Sequence, residues 1–524
     1  MAASPATPAP RATSVTFTLN GAPVEVPADG CSLLEALRDR LGVRSAKDGC
    51  SPQGQCGCCT VWVDGHARVA CVTPVARVAG RSVTTVEGLV DAQQWAQRMC
   101  AAGASQCGFC TPGIVMRLAA LPEPRDEAAV RQALLAHMCR CTGWQTIVES
   151  ACVASSASAA EPSPRDLDAA AQRAALEGGA PQIVGPEVVL GGGGFAADSA
   201  PLDALQAVRA ADGTWVVADT LTEAHRLAGK VQGRRTTEPV AWPIELPAGE
   251  WVRTLQTTWV EPAYLEPDAA WCAPDGEPVG PLTNGGAFGG KAGASAAAEV
   301  AEVAQVARRL AREHGRAVVA AYSREDAVCL GAKRPPLAAG VRADGSGVVR
   351  VARTPGIAAA IRSVAPGLDV EEVDVLGPPT SAAVRAAGWA EAAVLLAPDD
   401  GWVQAPNGAR AHATVSAEGA ITVDVQCGQV LDEVVLRSYC IGAAHMALGW
   451  VRHEAIAVGA DGVPRDLTIR SFRVVRAVDT PHIEVRIHPA DGEPLNGSDA
   501  VFAAVALAVW RTDGFAARWP TLAP

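Results

Sequence analysis

GCSPQGQCGCCTVWVDG, residues 49–65, decides how the front of this chain is read. Cys50, Cys56 and Cys59 are spaced Cys-x5-Cys-x2-Cys, and Cys71 follows after eleven residues. Plant-type iron–sulfur spacing is Cys-x4-Cys-x2-Cys with a distant fourth thiolate. The first gap here is longer by one residue, absorbed by Ser51-Pro52-Gln53. Gly49, Gly54 and Gly57 suit a loop that brings backbone N–H groups close to sulfur, where hydrogen bonds tune a cluster. Cys58 is the odd member and is expected to point away as a small apolar filler. A second group reads Cys107-Gly-Phe-Cys110 and Cys139-Arg-Cys141. Four thiolates are what a pair of irons takes, so the two groups predict two [2Fe–2S] clusters and a path for electrons. Zinc is the alternative for the second group, although a Cys-x-Cys pair is unusual in structural zinc sites. A thioredoxin-type Cys-x-x-Cys needs a βαβ context, which is absent. Cys31, Cys100 and Cys152 have no assigned partner.

Working outward, Val15, Phe17 and Leu19 alternate with polar residues as in a strand, Gly21-Ala22-Pro23 breaks the pattern, and Val24 and Val26 resume it. Ser32 and Glu35 form the signature of a capping box, ahead of a helix with Leu33, Leu34, Leu37 and Leu41 on one face. Val61 and Val63 predict a strand that turns at Asp64-Gly65. These elements fit a β-grasp ferredoxin-type domain over residues 14–90. From 91 to 151 the pattern is helical, with Thr111-Pro112 opening one helix and Val130, Leu134, Leu135 and Met138 marking another. A helical bundle is expected to hold the second cysteine group. Residues 1–13 are Ala/Pro-rich and are expected to be disordered. Residues 152–182, rich in Ala, Ser and Pro, read as a linker with one helix.

The chain has 524 residues, which predicts three or four domains. It carries 44 basic against 56 acidic side chains, net −12, a balance that argues against nucleic acid or an anionic membrane as partner. Sixteen cysteines without a basic and apolar leader point to a reducing cytosol rather than a disulfide scaffold. The best apolar run, Ala500 to Trp510, is about half the ~20 residues a membrane span needs.

GCSPQGQCGCCTVWVDG, QCGFCTPG (106–113) and CRCTGW (139–144) resemble the iron–sulfur subunit of the molybdenum hydroxylases, the family of xanthine dehydrogenase, aldehyde oxidase and carbon monoxide dehydrogenase. The resemblance spans about residues 14–152. It implies that the Cys107/Cys110/Cys139/Cys141 cluster lies next to a molybdopterin cofactor, and that the Cys50/Cys56/Cys59/Cys71 cluster lies further out, towards a flavin. Gln106 matches a family residue that hydrogen-bonds the pterin.

GGAFGGK (285–291) satisfies part of a phosphate-loop pattern, but Ala292 stands where Ser or Thr must hold magnesium. It also resembles the first pterin-contacting motif of the molybdenum-binding subunit, with Gly286, Ala287 and Phe288 on the pterin side. YLEPDAAW (264–271), SREDAVCLGAKRPP (323–336), GPPTSAAVRAAGW (377–389), residues 422–450 and residues 481–524 resemble further segments of that subunit in chain order. The implied fold is α+β and multidomain: a small hammerhead-like remnant at 183–250, then a truncated, degenerate molybdopterin-binding-type domain at 251–524.

The departures from the family pattern are extensive. A block is missing between Trp389 and Ala411, no Gly-Gln-Gly motif is present, and Tyr439 replaces a pterin-binding Gln. At the catalytic base the family has Glu in Gly-x-Gly-Glu; the best match here is Asn496-Gly497-Ser498-Asp499, leaving Asp499 as a weak candidate, shorter by one methylene. Arg385 matches a substrate-pocket Arg, and it, Lys291 and Glu266 are read as salt-bridge residues. The Gly191–Gly194 run lacks a dinucleotide fingerprint. The chain therefore reads as the electron-transfer subunit of such a complex. Its expected partners are a molybdopterin-binding large subunit, which receives the substrate, and a separate FAD-binding subunit. A self-contained compact hydroxylase and a scaffold or assembly module are the alternatives.

Overall fold

The structure is a computed structural model that describes residues 14–153, 165–230, 232–280, 285–291, 293–398 and 401–522. The first thirteen residues, expected to be disordered, lie outside them.

Five strands open the described chain: β1 (Ser14–Leu19), β2 (Ala22–Pro27), β3 (Thr60–Val63), β4 (His66–Val69) and β5 (Ser82–Thr84). They form one mixed sheet in the order β2-β1-β5-β3-β4, with β1 antiparallel to β2 and parallel to β5. Val15, Phe17 and Leu19 are buried on one face and Thr16 is exposed, as a period of two requires. The first turn is confined to Asn20-Gly21, both at positive φ (50° and 87°). Ala22 and Pro23 already belong to β2, an edge strand, where a missing N–H is tolerated. Asp64-Gly65 turns the β3–β4 hairpin as expected.

Ser32 Oγ accepts from Glu35 N at 3.2 Å, so the cap is present. The reciprocal half of the capping box is not made, because Glu35 Oε2 accepts from Thr222 N and Oγ1 at 3.0 and 2.6 Å. Two converging donors from a distant segment outcompete one local backbone bond. The helix itself is short, Leu33–Glu35 followed by a π turn at Ala36–Arg40, yet Leu33, Leu34 and Leu37 remain buried.

Helices Ala92–Ala101, Thr111–Ala119, Glu127–Ala133 and Gln145–Cys152 follow. Trp95, Val130, Leu134, Trp144 and Ile147 in this region share one continuous core with the C-terminal helices Glu433–Arg452 and Ser498–Thr512. The segment expected as a linker carries helix Leu167–Gly178, and that helix is anchored. Its buried Arg173 and Glu177 pair at 2.8 Å. Arg173 donates to Val430 O and Leu495 O at 3.0 and 2.7 Å, and Glu177 accepts from Gly497 N and Ser498 N at 3.1 and 2.8 Å.

Three four-stranded sheets build the rest. Leu205–Arg209, Trp215–Ala218, Ala269–Cys272 and Val318–Ala321 form the first, covered by helix Gly293–His314. It takes strands from both sides of position 250. The second joins Arg253–Gln256, Leu337–Val341, Gly347–Ala352 and Leu368–Val373; the third joins Val403–Gln404, Arg410–Val415, Ile421–Gln426 and Ile483–Ile487. One helix corrects the reading that no segment approaches a membrane span. Glu433–Arg452 is long and apolar enough by length and composition, but its apolar stretch is 89% buried inside the protein.

Candidate metal centres and the pocket beside them

Cys50, Cys56 and Cys59 come from the loop ahead of β3, and Cys71 from a single 3-10 turn (Ala70–Val72) after β4. All four are buried. Their thiols touch in a row: Cys56 with Cys50, Cys50 with Cys71, Cys71 with Cys59. Hydrogen bonds from Cys56 and Cys71 pull Cys50 well below the usual thiol pKa, and the bond to Cys50 pushes Cys56 up. Gln55 N donates to Cys50 Sγ and Cys71 N to Cys59 Sγ, each at 3.4 Å, as the glycine-rich loop predicted. Gly57, at φ 74°, has no alternative: a Cβ there would lie 2.5 Å from the His137 ring.

The second group repeats the pattern. Cys110 is the N-cap of helix Thr111–Ala119, and Cys139 and Cys141 follow a 3-10 turn at Leu134–Ala136. The thiols run Cys110, Cys139, Cys141, Cys107, the last two with sulfurs 3.5 Å apart. Cys139 is pulled well below the usual value by hydrogen bonds from Cys110 and Cys141, both of which are pushed up. Thiols that already share protons are placed to give them up to metal. Among the described residues no three His, Cys, Asp or Glu donors converge as for a single ion. A row of four sulfurs matches instead the donor set of two adjacent irons.

The two rows are bonded to each other through backbone. Met138 N, one residue before Cys139, donates to Cys56 O at 3.0 Å. A Cβ on Gly113 would fall 2.4 Å from Gly57 O, so helix Thr111–Ala119 rests directly on the first loop. His137 Nε2 and Thr60 Oγ1 meet at 3.2 Å in the same seam, where burial holds His137 down at about 3. Cys58 is buried there too, but its thiol turns toward Cys56 rather than away.

Sequence reading missed the side chains that clamp both loops to the C-terminal half. Arg140, between two cysteines, makes a buried bidentate pair with Glu454 at 2.6 and 2.7 Å. Arg324, fully buried, donates to Gly49 O and Leu265 O, both at 2.8 Å. Nothing local in the sequence marks these partners; Glu454 is 314 residues from Arg140.

Two of the residues matched to a pterin site, Gln106 and Phe288, border separate small cavities, neither with room for a pterin. Gln106 Nε2 donates to Cys141 O and Ser438 Oγ at 3.1 and 3.0 Å, while its buried Oε1 has no protein partner. The cavity beside it measures about 20 Å³ and is closed by Gln182, which donates to Tyr439 Oη. That is space for one water. Gly442 presses so close that a Cβ would lie 1.8 Å from Cys141 O. Gly286, Ala287 and Phe288 lie in a 3-10 turn and the residue after it. Phe288 O accepts from Arg385 N at 3.0 Å, and a Cβ on Gly289 would lie 1.6 Å from Ala383 O. That glycine admits protein backbone.

Asp499 is held by Arg385 Nε at 2.9 Å, and Arg385 also donates to Ser498 Oγ and covers the Phe288 ring at 4.5 Å. Burial pushes the Asp499 carboxyl up, and Arg385 opposes that. The cavity at Phe288 and Arg385 is about 30 Å³. Lys291 is neutralised by Glu266 and Asp268 at 2.8 and 3.1 Å.

Buried cysteine rows on a sheet and a helical cluster define an iron–sulfur protein, and similarity to known proteins agrees. A family model described as "[2Fe-2S] binding domain" matches residues 85–152. The Xanthine dehydrogenase iron-sulfur-binding subunit of Escherichia coli O157:H7 is 39% identical over 146 residues, which cover 26% of this chain and 91% of that protein. A Nicotinate dehydrogenase subunit of Pseudomonas putida is 42% identical over 137 residues, covering 25% and 86%. Xanthine dehydrogenase of Drosophila subobscura is 40% identical over 159 residues, but only 12% of its length is matched. The fold of Desulfovibrio gigas Aldehyde Oxidoreductase superposes with a TM-score of 0.66 at 14% identity, over 97% of this chain and 99% of that one. This chain belongs to the molybdenum hydroxylase family of xanthine dehydrogenase and aldehyde oxidoreductase, and its relatives are oxidoreductases.

Proposed function

We propose that this chain is the electron-carrying iron–sulfur subunit of a molybdenum hydroxylase complex. Cys50, Cys56, Cys59 and Cys71 hold one [2Fe–2S] cluster, and Cys107, Cys110, Cys139 and Cys141 hold the other, on the proposed units 14–90 and 91–151. The chemistry the clusters supply is one-electron storage and transfer. The protein positions the thiolates, excludes water from seven of the eight, and aims backbone N–H groups at sulfur to set the potential. The observation that carries the reading is the hydrogen bond from Met138 N to Cys56 O, which joins the residue beside one ligand to another ligand.

In this proposal residues 183–524 are a frame that carries no pterin chemistry of its own, and 152–182 connects the two parts. The packed cavity at Gln106 and the Arg385–Asp499 pair support that division. The partners at either end of the path are then a molybdopterin-binding large subunit, for electron entry, and an FAD-binding subunit, for electron exit. The test is metal analysis and electron paramagnetic resonance of the full chain produced alone. About four irons per chain with two distinct reducible signals and no molybdenum are expected from two four-cysteine sites. Stoichiometric molybdenum would instead make the chain a compact hydroxylase, and zinc or no reducible centre would end the proposal.

A further inference from the structure

Beside His137 and Met138 lies a cavity of about 350 Å³, lined by four arginines: Arg235, Arg470, Arg473 and Arg476. Only Arg476 has a carboxylate partner, Asp479, at 2.5 Å. Among the described residues no carboxylate comes within salt-bridge distance of the other three. Arg470 spends Nε and Nη2 on two carbonyls, Gln55 O at 3.0 Å and Leu135 O at 2.9 Å, which neutralise no charge. The remaining titratable groups on the wall, His137 and His453, are held below their usual pKa by burial and add no acid. In a chain of net charge −12, this is a local excess of positive charge.

A second observation points to a ligand. Arg473 Nε and Nη1 are both buried and neither has a hydrogen-bond partner. A buried, unsatisfied charged donor is among the costlier features a fold can carry. Arg473 stands at φ 61° as the left-handed C-cap of the 3-10 turn Ile469–Phe472, its N–H donating to Arg470 O. The nearest acid that attracts it, Asp466, is already occupied by Ala457 N and Thr236 N at 3.0 and 3.4 Å. Arg235, exposed, adds repulsion. An oxoanion among these guanidinium groups would relieve the repulsion. Guanidinium forks match phosphate and carboxylate oxygens in pairs. The volume exceeds that of an inorganic ion and falls in the range of small-molecule sites.

We propose that this cavity binds a small polyanion, a phosphate- or carboxylate-bearing molecule with at least two negative charges, gripped by Arg473 with Arg235 and Arg470 around it. The site borders the seam between the cysteine rows through His137, Met138 and Arg470, but its test reads anion binding and not the clusters.

The experiment is calorimetric titration of the full chain, as isolated and in a phosphate-free buffer of low ionic strength, with pyrophosphate and with citrate. Potassium chloride at matched ionic strength is the control. Saturable binding of either anion at one site per chain is expected. It should weaken about tenfold or more in Arg473→Met, the loss of hydrogen bonds to a charged group, and measurably in Arg235→Ala, while Arg316→Ala leaves it unchanged. Should Arg473→Met fold poorly, the exposed Arg235→Ala still decides. Absence of saturable binding by both anions overturns the proposal, as does binding that both variants leave intact. Binding only of an acidic polypeptide such as polyglutamate, with neither small anion bound, would also overturn it and make the cavity a protein-docking surface.

Discussion

Breaking the Arg140–Glu454 pair should detach the second cysteine row from the C-terminal half. Arg140 lies between the proposed ligands Cys139 and Cys141, and Glu454 follows the long helix Glu433–Arg452. The side chains are 7% and 1% exposed, and Arg140 Nε also donates to Pro262 O at 3.0 Å. Removing one member of such a pair strands the other charge in a low-dielectric interior, at a cost of about 3–5 kcal/mol. Glu454→Leu should reach this range, because Arg140 cannot lose its proton. Arg140→Met should cost less, because Glu454 can be protonated. The double variant should recover much of the loss, since replacing a buried ion pair by apolar groups is often neutral. A double-mutant cycle should then give a coupling near ~3 kcal/mol, the upper end for contacting residues. The assay is urea unfolding of all four proteins, followed by tryptophan fluorescence and by visible absorption of the clusters. The signal of the second cluster should be lost first in Glu454→Leu. Four unfolding curves within about 0.5 kcal/mol of one another, the spread of independent sites, would refute the pair as an anchor.

Gly442→Ala gains about 1 kcal/mol of helix propensity but places a methyl 1.8 Å from Cys141 O, where backbone cannot yield cheaply. A net loss of roughly 1–3 kcal/mol is expected, with one reducible cluster signal disturbed and the other retained. His445 is buried with Nε2 at 3.0 Å from Val475 O, and desolvation holds it down to about 4. The unfolded chain takes up this proton first, so its contribution is present above pH ~6.5 and is lost as pH falls toward 4, on the order of 3 kcal/mol. A pH series of urea midpoints should show this slope, and His445→Asn should flatten it. Asp499→Glu restores the residue type of the family base, yet Arg385 still caps the position. The expected outcome is neither molybdenum in the purified protein nor hydroxylation of aldehydes or purines by it.

The first sheet was legible because its signals are local. Period-two alternation at Val15, Phe17 and Leu19 and the Asp64-Gly65 turn each report on a few neighbouring residues. The cysteine rows were legible because motif spacing records which sulfurs a loop can bring together. Glu35 illustrates where such reading stops. Its spacing from Ser32 specified a capping box, but Thr222 offers its carboxylate two donors from 187 residues away. Composition foretold one helix in the segment ahead of Gln182 but not how that helix is anchored. Arg173 and Glu177 look like solvated charges in an Ala-rich stretch, and only the fold brings Leu495 O and Gly497 N to them. The state of the pocket was half legible. The replacement of a Gln by Tyr439 and the missing block were visible, whereas the closure by Gln182 and the backbone contacts at Gly289 and Gly442 required coordinates.

Those two glycines bear on how the C-terminal half is joined to the cysteine rows. A glycine forced by a carbonyl 1.6 or 1.8 Å from its missing Cβ marks a place where two segments rest backbone on backbone. At Gly442 the partner is Cys141, and at Gly289 it is the segment that carries Arg385. Together with the core that runs unbroken from Trp95 and Trp144 to Trp510 and Trp519, these contacts make the C-terminal half the wall against which the second cysteine row is set. The E. coli relative, matched over the first quarter of this chain, is by its name one subunit of a xanthine dehydrogenase. Independent loss of the C-terminal half would leave Arg140 without Glu454 and Trp144 without Val475 O, its indole acceptor at 3.1 Å. In the proposed reading the frame keeps water and competing ligands from the second cysteine row, a task that needs packing rather than a working pocket.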